Sequence, residues 1–169
     1  LEQSLKIQQE IGDRQGEGTT LNNLATTAHA KGDYDTSLRY LEQSLKIQQE
    51  IGDRKGESVT LGNIASIHKA NGQFQKALDF FMKDLEICQS IGDIHGMGIT
   101  LHNIGTMSFE QEAYEAAIAP ILQAYQIFEQ IGSPNAATSE SYLGAIIEKI
   151  GEARFQEILQ EMQQNNSNT

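Results

Sequence analysis

Apolar residues recur along this chain in two alternating helical rhythms, each closed by the same punctuation. Leu21, Leu24 and Ala28 stand at i, i+3 and i+7, on one side of a helix. Gly32 stops that stretch, Asp33 is placed to cap the next, and Tyr34 and Leu38 open a second apolar face that runs through Leu41, Leu45 and Ile51 to Gly52. The pattern then restarts with Asp53, Leu61, Ile64 and His68, a stop at Gly72, and Phe74, Ala77, Leu78, Phe81, Leu85 and Ile91. A third round gives Asp93, Leu101, Ile104 and Ser108, then Tyr114, Ala117, Ile118, Ile121, Ala124 and Ile131. Glu112 stands there in place of the turn glycine, which predicts an ordinary backbone conformation at that turn. Ser133-Pro134 marks another helix start, since proline suits the first helical position. That helix is expected to end at Ile150 before Gly151, with Leu143-Gly144 answering Ile104-Gly105 at a spacing of 39 rather than 40. A shorter helix from 152 to about 163 and a polar tail, 164–169, complete the chain. Alternating β-branched runs and hairpin turns are absent, so no strand is predicted.

The rhythms rest on literal repetition. The fourteen residues LEQSLKIQQEIGDR at 41–54 also open the chain at 1–14, and diverged copies stand at 81–94 and 121–134. A fixed period of this length indicates stacked helical units. The boundaries read as the second helix of an incomplete unit at 1–12, full units at 13–52, 53–92 and 93–132, a diverged unit or cap at 133–163, and the tail. Leu1 falls inside a unit, so further units are expected ahead of it.

Small residues separate the possible repeat types. Ala25, Ala65, Gly105 and Gly144 each follow the apolar residue of a first helix, where two helices cross closely. Tyr34, Phe74 and Tyr114 follow each turn, with Ser37, Ala77 and Ala117 three residues further on. This pattern resembles the tetratricopeptide repeat, in the forty-residue form seen in kinesin light chains, Pins-type spindle adaptors and bacterial repeat proteins. The resemblance implies an all-α fold, a right-handed α-solenoid of antiparallel helix pairs whose concave groove is lined by the first helix of each pair. It also implies that an extended peptide lies along that wall.

Composition narrows the partners. The 169 residues carry a net charge of −11 and 38% hydrophobic residues. Such a balance disfavours nucleic acid and anionic lipid, and long-range steering favours a basic partner. No apolar run approaches the roughly 20 residues of a membrane helix. The single Cys88 excludes an internal disulfide and suits a reducing, cytoplasmic setting.

The residues that could do work lie on the first helices. Asn23, Asn63 and Asn103 recur at the full period, each directly before the buried Leu or Ile, and a carboxamide offers the donor and acceptor that an extended backbone needs. In related peptide-binding arrays an asparagine at this place often holds the ligand backbone. Around them, Asn22, Thr26, His29, Ser66, Lys69, His102 and Thr106 complete the predicted peptide-binding face. Tyr142 replaces the asparagine in the last unit, so the series is expected to end at Asn103. Cys88, His95 and His102 are seven apart, but they fall on different segments and lack a completing motif, so neither metal nor cofactor is expected. Cys88 and His68 read as packing residues, and no nucleophile–base–acid set suggests an enzyme. The expected function is a protein–protein interaction module or scaffold. The rival readings are a structural array that self-associates through the open N-terminal helix, and a sensor domain of a larger, enzymatic protein.

Overall fold

A computed structural model describes residues 1–167, and among them all regular structure is helical. The chain divides into two compact units. The first, Leu1–Asp93, holds α1 (Glu2–Ile11), α2 (Arg14–Ala30), α3 (Tyr34–Ile51), α4 (Arg54–Ala70) and α5 (Phe74–Ile91). The second, from Ile94 onward, holds α6 (Ile94–Glu110), α7 (Tyr114–Gln130), α8 (Asn135–Ile150) and α9 (Glu152–Ser167).

The helix starts follow the aspartates. Asp13, Asp33 and Asp53 each accept a backbone N–H three residues on, from Gly16 at 2.9 Å, Thr36 at 3.1 Å and Gly56 at 2.9 Å. Each bond satisfies a donor that the first turn leaves open. Ser133 acts similarly, its Oγ accepting from the Asn135 N–H at 3.3 Å.

Short turns force successive helices to double back, and the contacts between them run antiparallel. Ser37 Oγ donates to the Ala25 carbonyl and Ser44 Oγ to that of Gly18, both at 2.7 Å. As one partner advances seven residues along α3, the other retreats seven along α2. The second unit keeps this register, with Gly105 against Ile121 and Gly98 against Phe128. The first core gathers Ala25, Leu41, Ile64 and Ile67. The second gathers Ala117, Ile118, Ile121, Ile146, Phe155 and Ile158.

Three expectations change. Glu112 does not relax its turn: it adopts φ 60, the left-handed region otherwise occupied here by glycine. The reason is hydrogen bonding. Glu112 N–H reaches the Phe109 carbonyl at 2.9 Å and Ala113 N–H that of Ser108 at 3.0 Å, as Gly32 and Asp33 do with His29 and Ala28. Keeping these C-terminal bonds requires the left-handed residue, whatever its side chain. Gly144 is exposed, with no heavy atom within 4 Å of where its Cβ would stand, so no helix crosses there. Its neighbour α9 follows after Gly151 alone and packs Phe155 and Ile158 into the core with Ile146 and the α7 residues. Finally, α9 continues through Gln164 and Asn165 to Ser167, past the expected end of the helix; Asn168 and Thr169 of the expected tail lie outside the described residues.

Candidate functional site

In the first unit the candidate face is built by α2 and α4. Asn22, the residue beside the periodic asparagine, is engaged through both ends of its carboxamide. Its Nδ2 donates to Ser44 Oγ on α3 at 2.8 Å and to Thr60 Oγ1 on α4 at 2.7 Å, while its Oδ1 accepts from Asn63 Nδ2 at 3.2 Å. Each hydroxyl passes the bond on: Ser44 to the Gly18 carbonyl, and Thr60 to Gln48 Oε1 at 2.7 Å. Ser44, Thr60 and Gln48 are buried, so the chain of bonds is shielded from water and each link polarises the next. Asn22 is thus the knot that ties α2, α3 and α4 together, with both amide donors spent on the protein itself.

Asn23 is different. It is exposed, and among the described residues its carboxamide bonds to no protein group; only its main-chain carbonyl is engaged, by Thr27 Oγ1 at 2.9 Å. Asn63 lies between these cases, half-buried, with one donor spent on Asn22. Thr26, His29, Asn63 and Ser66 come together with Ala25, Ser37, Leu41 and Ile67 around a recess of ≈ 100 Å³. The hydroxyls of Thr26 and Ser66 donate back to the carbonyls of Asn22 and Gly62, leaving acceptor lone pairs toward the recess. The lining holds no carboxylate. Lys69 is half-buried on the same helix but does not line the recess.

In the second unit the face belongs to α6 and α8. Asn103 is half-buried, and among the described residues its carboxamide bonds to no protein group; its main-chain carbonyl accepts from Thr106 Oγ1 at 3.1 Å. Thr106 is buried at 4% exposure and is a packing residue rather than part of an accessible face. His102 shares a 2.9 Å hydrogen bond between Nδ1 and Ser139 Oγ and meets the edge of Tyr142 at 5.5 Å. With Ile99, Phe128, Asn135 and Thr138 it lines a second recess, of ≈ 130 Å³.

The remaining chemistry-bearing residues have packing partners. Cys88 is fully buried, 3.2 Å from Ser58 Oγ and 3.5 Å from Asp84 Oδ1, and burial pushes its thiol above the ordinary value. His68 bonds Gln73 Oε1 at 2.7 Å and stacks on Phe80; His95 tilts against Phe128. Among the described residues no three His, Cys, Asp or Glu side chains cluster as metal ligands.

Sequence reasoning placed Asn22 among ligand contacts and missed its structural role. A signal existed: the equivalents of Asn22 are Gly62 and His102, so it does not recur at the period, whereas Asn23 does. The second-helix position facing it varies in step, as Ser44, Asp84 and Ala124. Asp84 approaches Gly62 so closely that an added Cβ would lie 3.2 Å from its Oδ2.

The tetratricopeptide repeat family model matches residues 1–50 and 56–130, most of the chain. The chain belongs to the tetratricopeptide repeat family. As a helical-repeat solenoid it is similar to solved structures at low identity. These include BtubC from P. vanneervenii (TM-score 0.72, 18% identity, 89% of this chain and 66% of that one) and the apo form of RapI (0.79, 20%, 90% and 42%). A putative kinesin light chain from Podosopora anserina, with nearly identical repeats, gives 0.69 at 18% identity, over 99% of this chain and 84% of that one. The chain therefore spans under half of RapI and about two thirds of BtubC. No curated protein matches it by sequence.

Proposed function

We propose that this tetratricopeptide array is a peptide-binding interaction module, with the first-helix faces holding an extended segment of a protein partner. The family fold is generally an interaction scaffold rather than an enzyme. The observation that carries the finer reading is that each unit keeps a carboxamide that no described protein group occupies, Asn23 in the first and Asn103 in the second, while both amide donors of the adjacent Asn22 are spent. An extended backbone presents alternating donors and acceptors, and a carboxamide answers both. The recess in each unit, mostly apolar and without carboxylates, suits small and medium side chains of such a segment.

Peptide display on the parent chain beside the Asn23→Ala, Asn103→Ala double variant tests this reading. Asn63 is left intact in the main comparison because it also supports Asn22. A motif enriched on the parent and lost on an equally helical variant is the expected result. Equal enrichment on both, or none on either, would remove the asparagines from any binding role.

A further inference from the structure

The hydrogen bonds around Asn22 have a direction, and it carries through to the recess of the first unit. Gly18 offers Ser44 a main-chain carbonyl, so the Ser44 hydroxyl donates to it, and with its proton spent it can only accept. Asn22 therefore turns its Nδ2 toward Ser44, at 2.8 Å, and its Oδ1 toward Asn63. Asn63 answers that oxygen with its own Nδ2, at 3.2 Å. A carbonyl on α2 thus fixes, through three side chains, which end of the Asn63 carboxamide is spent inside the protein. Its Oδ1 bonds to no protein group among the described residues, and Asn63 lines the recess.

The hydroxyls of the same lining are spent in the same sense. Thr26 donates to the Asn22 carbonyl at 3.1 Å, Ser66 to that of Gly62 at 2.9 Å, and buried Ser37 to that of Ala25 at 2.7 Å. Each then has only lone pairs to offer. Acceptor oxygens from α2, α3 and α4 thus line the recess, against one spare N–H of Asn63; neutral His29 adds one donor and one acceptor. With no Asp, Glu, Lys or Arg in the lining, donors and acceptors decide what fits. A carboxylate brings acceptors only and meets mostly lone pairs. An ammonium brings three donors and no acceptor. Its donors spread in three dimensions, which suits acceptors arriving from three helices better than the flat guanidinium fork does. Ala25, Leu41 and Ile67 supply apolar surface for a hydrocarbon stem. Thr26 and His29 are exposed, so the charged head keeps part of its water.

We propose that this recess takes the ammonium end of a lysine side chain from the bound segment, held by the oxygens of Thr26, Ser37, Asn63 and Ser66, with the outer methylenes on the apolar wall. The assignment rests on the peptide-binding reading above and adds the side chain that it selects. The net charge of −11 works in the same direction, drawing a basic segment toward the molecule before it docks.

The test starts from peptide display on the parent chain. The enriched peptide is synthesised with an acetylated N-terminus, and its lysine is replaced in turn by Nε-acetyl-lysine, norleucine and glutamate. Affinities are read by calorimetry at about pH 8, where imidazole is neutral. The comparison protein is the Thr26→Val, Ser66→Ala double variant, which removes two acceptors, leaves the Asn22–Asn63 bond in place and is checked for helicity by circular dichroism. An enriched motif with lysine is expected, each replacement weakening binding to the parent at least roughly tenfold. The preference for lysine over norleucine should shrink by roughly the same factor in the double variant. A motif without lysine, or norleucine binding as tightly as lysine, overturns this inference and leaves the peptide-binding reading standing. So does an undiminished lysine preference in the double variant, which would put the ammonium elsewhere. Enrichment of no motif at all overturns both.

Discussion

The α2–α3 and α6–α7 hairpins share one register and differ in what holds it. In the first, serine hydroxyls bond main-chain carbonyls at both crossing points, and Asn22 extends the bonding to the next helix. In the second, the serines are replaced by Ala117 and Ala124, and the helices close until Gly105 lies under Ile121 and Gly98 under Phe128. The backbone geometry is therefore a property of the repeat, while the chemistry at each crossing is free to change, provided both helices change together. That coupling makes the two hairpins respond to substitution in opposite ways.

The largest response is expected at Gly105. A Cβ there runs into the Ile121 side chain and comes within 3.1 Å of its main-chain nitrogen, which cannot yield without moving α7. Alanine normally gains about 1 kcal/mol over glycine inside a helix, but overpacking of this kind costs about 1–3 kcal/mol and more where backbone must move. Gly105→Ala should thus lower stability by about 2 kcal/mol, read as a lower urea midpoint. An unchanged midpoint would mean the crossing is looser than the structure shows. Next in size is Asn22→Ala, which strips a donor from two buried hydroxyls and should cost about 1–3 kcal/mol. Asn23→Ala, one residue away and exposed, should fall within about 0.5 kcal/mol of the parent. Equal losses at the two positions would erase the distinction between knot and ligand group.

Two smaller substitutions should stabilise. Gly144 is the counterpart of Gly105 without a crossing helix, so Gly144→Ala should keep the helix-propensity gain of about 1 kcal/mol. A loss there would reveal a neighbour over α8. Glu112→Gly should relieve the left-handed strain of a non-glycine residue, about 1 kcal/mol, and raise the melting temperature by a few degrees.

These positions also show where the sequence was legible. The helices could be read because their signals are local and repeated: a glycine or aspartate at each boundary, and an apolar stripe between, recurring until they outweigh any single exception. Glu112 was misread because its conformation is imposed by bonds to Phe109 and Ser108, which depend on the turn rather than on the residue. Gly144 was misread because a small residue implies a close crossing only when a partner helix is present, and α9 departs from the pattern. The site was legible only in part. Asn22 and Asn23 are alike in type and adjacent, and a difference of about 100° around the helix axis decides which faces α3 and which faces solvent.

The smallest effect concerns pH and sits between α7 and α9 of the second unit. Arg154 of α9 holds Glu115 of α7 through paired 2.9 Å hydrogen bonds, and this contact sets the Glu115 carboxyl below its ordinary value of 4.5. A carboxyl that is more acidic in the folded state than in the unfolded one contributes stability above its unfolded value and loses it as pH falls through the folded one. The docking of α9 should therefore weaken on acidification below about pH 4.5, while Glu115→Gln should lack that part of the decline. Both groups are exposed, so salt should shrink the difference as well. Amide exchange in α9, measured for parent and variant across this range, reads the local opening directly. Parallel acid profiles would show that α9 is held by Phe155 and Ile158 alone, with the ion pair contributing nothing measurable to the second unit.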